Sequence, residues 1–204
     1  MIHILDYGLG NINAFATAYN LLGRQIIRAR EPKDLNNAKK IILPGVGSFD
    51  EAIKLLNSSG LRLKLEDLIA RGEVNVLGVC VGMQILASGS EEGKLPGLGL
   101  IPGTVKQFPK NLLKKTLRLP HMGWNSVTAK NHNPLFYELN SEPRFYFLHS
   151  YYFESDSSDY VGATAHYGIE FASSVFLDRI YGVQFHPEKS HNYGLKLLEN
   201  FANI

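Results

Sequence analysis

A lone cysteine sits in Gly78-Val-Cys-Val-Gly-Met-Gln84, between a short apolar run and the start of a helix-like stretch. Residues 74–78 read as a buried strand and residues 81–87 as the helix that follows. A sharp turn between them lifts a nucleophile above the sheet and aims it at the unpaired N–H groups that open the helix. Those groups favour a thiolate and stabilise an oxyanion. Glycine at 78 and 82 suits such a turn, because a Cβ at either position would crowd it. A lone cysteine is more commonly a buried structural residue, so the chemical reading needs a partner elsewhere in the chain.

His186-Pro-Glu188 supplies one. It follows the strand-like run 182–185, and extended chain places side chains 186 and 188 on the same face. The intervening proline fixes its own φ and pushes His186 toward extended backbone. A carboxylate beside an imidazole holds its tautomer and stabilises the imidazolium. With a cysteine across a cleft, the set provides nucleophile, base and orienting group. Taken alone, the tripeptide reads as a strand-end histidine beside a surface glutamate; its specificity comes from the cysteine motif.

The elements that must bring these groups together are legible as alternating strand and helix in the first half. Residues 2–6, 25–29, 41–43 and 74–78 read as strands. Residues 11–23, 49–56 and 61–70 read as helices, with Asn11 as an N-cap and Gly23 as a C-terminal glycine. Such alternation implies parallel pairing with crossovers and a sheet covered on both faces. Residues 104–172 and on to 176 change character, with short aromatic and β-branched runs at 103–108, 145–152, 160–167 and 174–176. These predict antiparallel strands added to the core sheet. Residues 181–185 return as a core strand, and 193–201 form a closing amphipathic helix. With no internal repeat, low-complexity stretch or linker, residues 1–204 are expected to form one domain. Ligands of a doubly wound sheet sit beyond the carboxyl ends of its strands. Residues 7–11, 44–47, 80 and 186–188 all follow strands, so they are expected to meet at one crevice.

Composition removes several alternatives. The chain has 204 residues, 45% apolar and 20% charged, with a formal net charge of +2. That balance gives no reason to expect nucleic acid or an anionic membrane as partner. Lys110, Lys114, Lys115 and Arg118 read as a small solvated basic face. One cysteine cannot form an internal disulfide, no apolar run approaches the length of a membrane span, and the N-terminus lacks the pattern of a signal peptide. The cytoplasm is the expected compartment. The seven histidines are scattered, with no companions to His186 or His191 at ligand spacing, so no metal is expected. Gly8-Leu-Gly10 lacks the third glycine of a dinucleotide fingerprint, and no cofactor is expected.

The motif pair G-x-C-x-G-x-Q and H-P-E resembles that of the class I, triad-type glutamine amidotransferases. The resemblance covers almost the whole chain. Asp6-Tyr-Gly-Leu-Gly-Asn11, Pro44-Gly-Val-Gly-Ser-Phe49, Ser90-Glu-Glu-Gly93, Gly97-Leu-Gly-Leu-Ile-Pro-Gly103, Pro120-His-Met-Gly-Trp-Asn125, Phe147-Leu-His-Ser-Tyr151 and Gln184-Phe-His-Pro-Glu-Lys-Ser190 are similar, in this order, to the glutaminase subunits of imidazole glycerol phosphate synthases. The resemblance implies a three-layer α/β/α, flavodoxin-like fold with a mostly parallel sheet. It implies that Cys80 attacks the γ-carboxamide of L-glutamine, that His186 moves the proton, and that Glu188 orients His186. An oxyanion hole would use the N–H of Val81 and one from Val46 or Gly47. Gln84, Glu92 and the backbone of His149, Ser150 and Tyr151 would bind the substrate. Its partner would be a (β/α)₈-barrel cyclase that receives the ammonia, with Asn11, Trp124 and Asn125 on the shared face.

Two departures bear on the pathway. Val81 stands where leucine is usual in the histidine-pathway branch, and residues 85–89 replace a stretch that often carries phenylalanine. Both features are similar to a paralogous branch whose ammonia forms an amidine on a surface-polysaccharide sugar. A non-catalytic regulatory module on the same fold would be expected to lack Cys80, His186 or Glu188, and all three are present. A cysteine peptidase or chaperone on a related sheet would place its histidine soon after the cysteine.

Overall fold

The structure, a computed structural model, describes residues 1–109, 118–130, 133–140 and 142–204. Lys110, Lys114 and Lys115 of the basic cluster lie outside the described residues.

Strands β1 (Ile2–Leu5), β2 (Ile26–Ala29), β3 (Lys40–Leu43) and β4 (Asn75–Val79) alternate with helices α1 (Ile12–Leu21), α2 (Phe49–Ser58) and α3 (Leu61–Ala70). A short helix α4 (Val81–Gln84) follows β4. Then come β5 (Gly89–Ser90), β6 (Gly103–Gln107), β7 (His121–Ser126), β8 (Thr128–Ala129), β9 (Arg144–His149), β10 (Tyr151–Ser155), β11 (Val161–Tyr167), β12 (Ile169–Leu177) and β13 (Ile180–Val183). Helix α5 (His191–Asn203) closes the chain. The order β2-β1-β3-β4-β13 is parallel throughout, and β12, β10 and β6 extend it with antiparallel pairing. Strands β1, β4 and β13 are buried along their whole length, as a sheet covered on both sides requires, and are apolar except for His3 and Asn75. The β1-to-β2 and β3-to-β4 crossovers run in opposite directions along the sheet. Right-handed connections therefore put α1 on one face and α2 and α3 on the other. This is an α/β fold with a mostly parallel sheet and added antiparallel strands.

Three local differences from the sequence-based expectation matter for the site. The helix expected over 81–87 stops after Gln84. Beyond it the carbonyls of Ile85, Leu86 and Ala87 accept the N–H groups of Leu98, Leu100 and Gly99 at 2.8, 2.8 and 3.1 Å. The N–H groups of Leu86 and Ala87 donate three residues back, to the Met83 and Gln84 carbonyls at 3.0 and 3.1 Å, so the α-helical pattern is lost before the 97–101 loop takes the carbonyls that follow. The run 145–152, expected as one strand, is split at Ser150 into β9 and β10. Strand β9 pairs with β7 in a separate two-stranded sheet, and β10 pairs with β6 and β12 in the main one. Residues 121–126, which carried no strand expectation, form β7.

Backbone packs against backbone beneath Cys80. A Cβ at Gly82 would overlap the Leu43 carbonyl, one at Gly78 the Gly82 carbonyl, and one at Gly45 the Gly82 nitrogen. No side-chain rotation relieves such overlaps. Gly82→Ala is therefore expected to cost about 3 kcal/mol, read as a lowered denaturant midpoint. Gly89→Ala, where nothing among the described residues lies within 4 Å of the added carbon, should move that midpoint little.

Candidate active site

Cys80 lies in the one-residue elbow between β4 and α4, with φ 56° and ψ −113°. A non-glycine residue held at positive φ is strained, and such strain persists only where the surroundings impose it. Here they do. The Cys80 N–H donates to the Val183 carbonyl at 2.8 Å, and its carbonyl accepts from Met83 and Gln84 at 3.0 and 3.1 Å. Val81 opens the helix, so its N–H has no intrahelical acceptor.

His186 follows β13. Its N–H donates to the Tyr146 carbonyl at 2.9 Å. The fully buried Ser190 hydroxyl donates to the His186 carbonyl at 2.6 Å and accepts from the Tyr146 N–H at 3.0 Å. His186 is extended as expected, with φ −101° and ψ 94°, but the chain then turns: Pro187–Lys189 is a single 3₁₀ turn, closed by Lys189 N–H donating to the His186 carbonyl at 3.1 Å. Proline opens that turn without loss, since its missing N–H would have no partner there. The turn still brings Glu188 Oε1 to 2.8 Å from His186 Nδ1, with both side chains almost wholly buried. Nε2 is left to meet the cysteine. Burial opposes a charged imidazole, but the Cys80 sulfur, in charge and hydrogen bond, and the Glu188 carboxylate outweigh it. The His186 pKa is raised to about 10.

Cys80 and His186 open onto one cavity of about 240 Å³. Val46, Gly47, Val81, Gln84, Glu92 and residues 148–151 also line it. That volume lies below the ~300–1,000 Å³ of drug-sized sites and suits a single amino acid. Gly47 adopts φ +89°, a conformation natural to glycine, at the turn after β3. The turn is anchored from behind by the Tyr7 hydroxyl, which donates to the Pro44 carbonyl at 2.6 Å. Of the four loops expected at the crevice, those after β3, β4 and β13 line the cavity. Residues 7–11 stand behind them and do not reach it.

The Gln84 amide nitrogen donates to the Tyr151 carbonyl and to Gln184 Oε1, both at 3.1 Å. Glu92 Oε2 accepts the Phe49 N–H at 2.8 Å, which fixes it at the start of α2. The loop carrying Glu92 is pinned by Asp50, whose carboxylate accepts the Leu95 and Lys94 N–H groups at 3.0 Å. Those bonds hold the Asp50 pKa below its ordinary value.

Asn11, Trp124 and Asn125 lie away from the cavity. Asn11 is exposed and caps α1, its Oδ1 accepting from the Ala14 N–H at 3.1 Å. Trp124 is 40% exposed, which rules out a core indole, and stacks on His191 with centroids 5.2 Å apart. Asn125 turns its amide inward, donating to the His166 carbonyl at 2.9 Å. Sequence reasoning missed Gln184, whose amide donates to Cys80 Sγ at 3.9 Å. A glutamine inside an otherwise apolar buried strand was the available signal. It also missed Asp50 and Tyr7, which act on distant backbone.

A strained cysteine elbow, a buried histidine–carboxylate couple and an amino-acid-sized cavity above a mostly parallel sheet define an amidotransferase-type α/β protein. The chain belongs to the class-I glutamine amidotransferase family, whose family model, "Glutamine amidotransferase class-I", matches residues 3–204. It is 52% identical over 204 residues, spanning both chains in full, to "Imidazole glycerol phosphate synthase subunit HisH" of Bdellovibrio bacteriovorus. A protein of the same name from Leptospira interrogans is 50% identical over 206 residues, again spanning both. Among solved structures, PurLQS from Thermotoga maritima shares the fold with a TM-score of 0.76 at 18% identity, covering 99% of this chain and 97% of that one.

Proposed function

We propose that this chain is the glutaminase subunit of an imidazole glycerol phosphate synthase. The observation that carries the reading is that Cys80 and His186 face one cavity while Glu188 holds His186 at 2.8 Å. His186 Nε2 takes the Cys80 thiol proton, and the resulting thiolate, paired with the charged imidazole, attacks the γ-carboxamide carbon of glutamine. The tetrahedral oxyanion is met by the Val81 N–H and by one from Val46 or Gly47. Collapse breaks the C–N bond, and His186 returns the proton to the leaving ammonia. Water, deprotonated by His186, then cleaves the γ-glutamyl thioester and releases glutamate. Gln84, Glu92 and the backbone of residues 149–151 hold the substrate in position.

Ammonia released into water is lost to protonation and diffusion, so this chemistry requires a receiver docked over the cavity. The receiver is a (β/α)₈-barrel cyclase that forms imidazole glycerol phosphate and AICAR in histidine biosynthesis, in the cytoplasm. Exposed Val46, Met122 and Trp124 offer it apolar contacts. The names of the relatives favour this branch over the sugar-amidination branch, despite Val81. Glutamate release by the isolated chain is expected to be slow. It should rise on the order of 10²-fold when the cyclase and its acceptor ligand complete the oxyanion hole. Full activity in the isolated chain, or failure of the gene to rescue a histidine auxotroph, would count against the assignment.

A further inference from the structure

At the wall of the cavity lies a histidine pair whose imidazole rings the chemistry above does not use. His121 on β7 and His149 at the end of β9 are 3% and 5% exposed, and His121 Nδ1 lies 2.9 Å from His149 Nε2. His149 Nδ1 lies 2.8 Å from the Tyr151 carbonyl, and Asn125 Nδ2 lies 3.3 Å from His121 Nε2. The ends fix the protons. A carbonyl only accepts, so His149 carries its hydrogen on Nδ1 and offers Nε2 as acceptor. His121 must then donate from Nδ1 and accept on Nε2, where the Asn125 amide donates. Burial lowers the pKa of His121 to about 4 and that of His149 to about 3. A second proton would go to Nε2 of either ring and set N–H against N–H, facing His121 Nδ1–H in the case of His149 and the Asn125 amide in the case of His121. Both rings are therefore neutral and each has one permitted tautomer.

The relay ends at the Tyr151 carbonyl, which also receives Gln84 Nε2. A carbonyl left loose beside a bound carboxylate would repel it; one held by two donors stays drawn back. We propose that His121 and His149 are positioning residues, a one-way hydrogen-bond relay from Asn125 that fixes the main chain of residues 149–151 for the amino-acid head group of the substrate. The proposal rests on the glutaminase reading and deepens it. It acts on substrate binding, remote from the bond that breaks.

His121 stacks between Phe147 and Tyr167, with ring centroids 4.7 and 4.0 Å away. His121→Phe keeps that stacking and deletes the donor, leaving buried His149 Nε2 unpaired. With the cyclase present, its KM for glutamine should rise about tenfold while kcat stays within about twofold. In His121→Asn the amide nitrogen takes the place of Nδ1, and KM should return most of the way. Nitrogen-15 NMR of the wild-type chain should show both rings neutral at pH 7 with the hydrogen on Nδ1. This measurement decides the matter if the phenylalanine variant does not fold. An Nε2–H tautomer at either ring, an unchanged KM in His121→Phe, or equal KM defects in both variants would overturn the relay. A wild type inactive with its cyclase would strike the glutaminase reading instead, and the tautomers would still report on the relay.

Discussion

Cys80→Ala is expected to lower kcat for glutamine hydrolysis by at least about 10⁴-fold in the presence of the cyclase. The chain has one cysteine, so no second thiol can substitute. Alanine tolerates the φ of 56° at this position no worse than cysteine does, and the elbow is held by backbone bonds that the substitution leaves in place. The fold should therefore survive. Gln84, Glu92 and residues 149–151 remain, so glutamine should still bind with close to wild-type affinity in a calorimetric titration. The informative result is this separation of binding from turnover. A mass-spectrometric search for the glutamyl adduct should find it on wild-type Cys80 and nowhere on the variant. Turnover retained within tenfold of wild type would remove Cys80 from the mechanism.

The parallel core is legible in the sequence because its physics is local. The short, mostly apolar runs at 2–6, 41–43 and 74–78 read as buried strands, and Asn11 marks the start of α1 with the cap it forms. Three features are hidden for identifiable reasons. Aromatic alternation runs through Phe145, Phe147, His149 and Tyr151 to Phe153 without a break, so nothing announces that Ser150 passes the chain from one sheet to another. Strand β7 alternates too, but its inward side carries His121, Gly123 and Asn125 while Met122 and Trp124 face out. Polar residues within and large apolar ones without invert the usual signal for a buried face. The early end of α4 is a tightening of the chain, in which Leu86 and Ala87 donate to carbonyls three residues back and a loop more than ten residues later holds the carbonyls that follow.

The candidate site divides in the same way. Cys80 and the His186–Glu188 pair stand out by residue type and spacing. Their convergence follows from where β4 and β13 end, since the two strands are neighbours in parallel register with Gly78 opposite Gly182. The supports were not legible. Asp50 reaches the backbone at residues 94 and 95, and Tyr7 the backbone at 44. A side chain that serves a distant carbonyl or N–H leaves no trace in the spacing of motifs.

Glu188→Gln should lower kcat by about 10³–10⁴-fold while preserving shape and volume. Glu188 Oε2 is buried with no hydrogen-bond partner among the described residues, so none of them fixes an introduced amide in one orientation. If the amide nitrogen faces His186, it donates to Nδ1 and forces the proton onto Nε2, the nitrogen proposed to take the Cys80 proton. If the amide oxygen faces it, the tautomer is correct but the imidazolium formed during attack has no carboxylate beside it. Both orientations raise the barrier. The substitution also removes two of the influences that raise the His186 pKa above its ordinary 6.5. A histidine whose folded-state pKa is raised contributes stability that is fully present below its unfolded pKa and is lost as pH rises through the folded value. Wild type should therefore lose this contribution as pH climbs from about 6.5 through about 10. The variant has less of it to lose. The gap in unfolding free energy between the two proteins should be wider at pH 7 than at pH 10, read from parallel denaturant titrations. A gap that does not change with pH, or turnover equal to wild type, would mean that Glu188 neither holds nor charges His186.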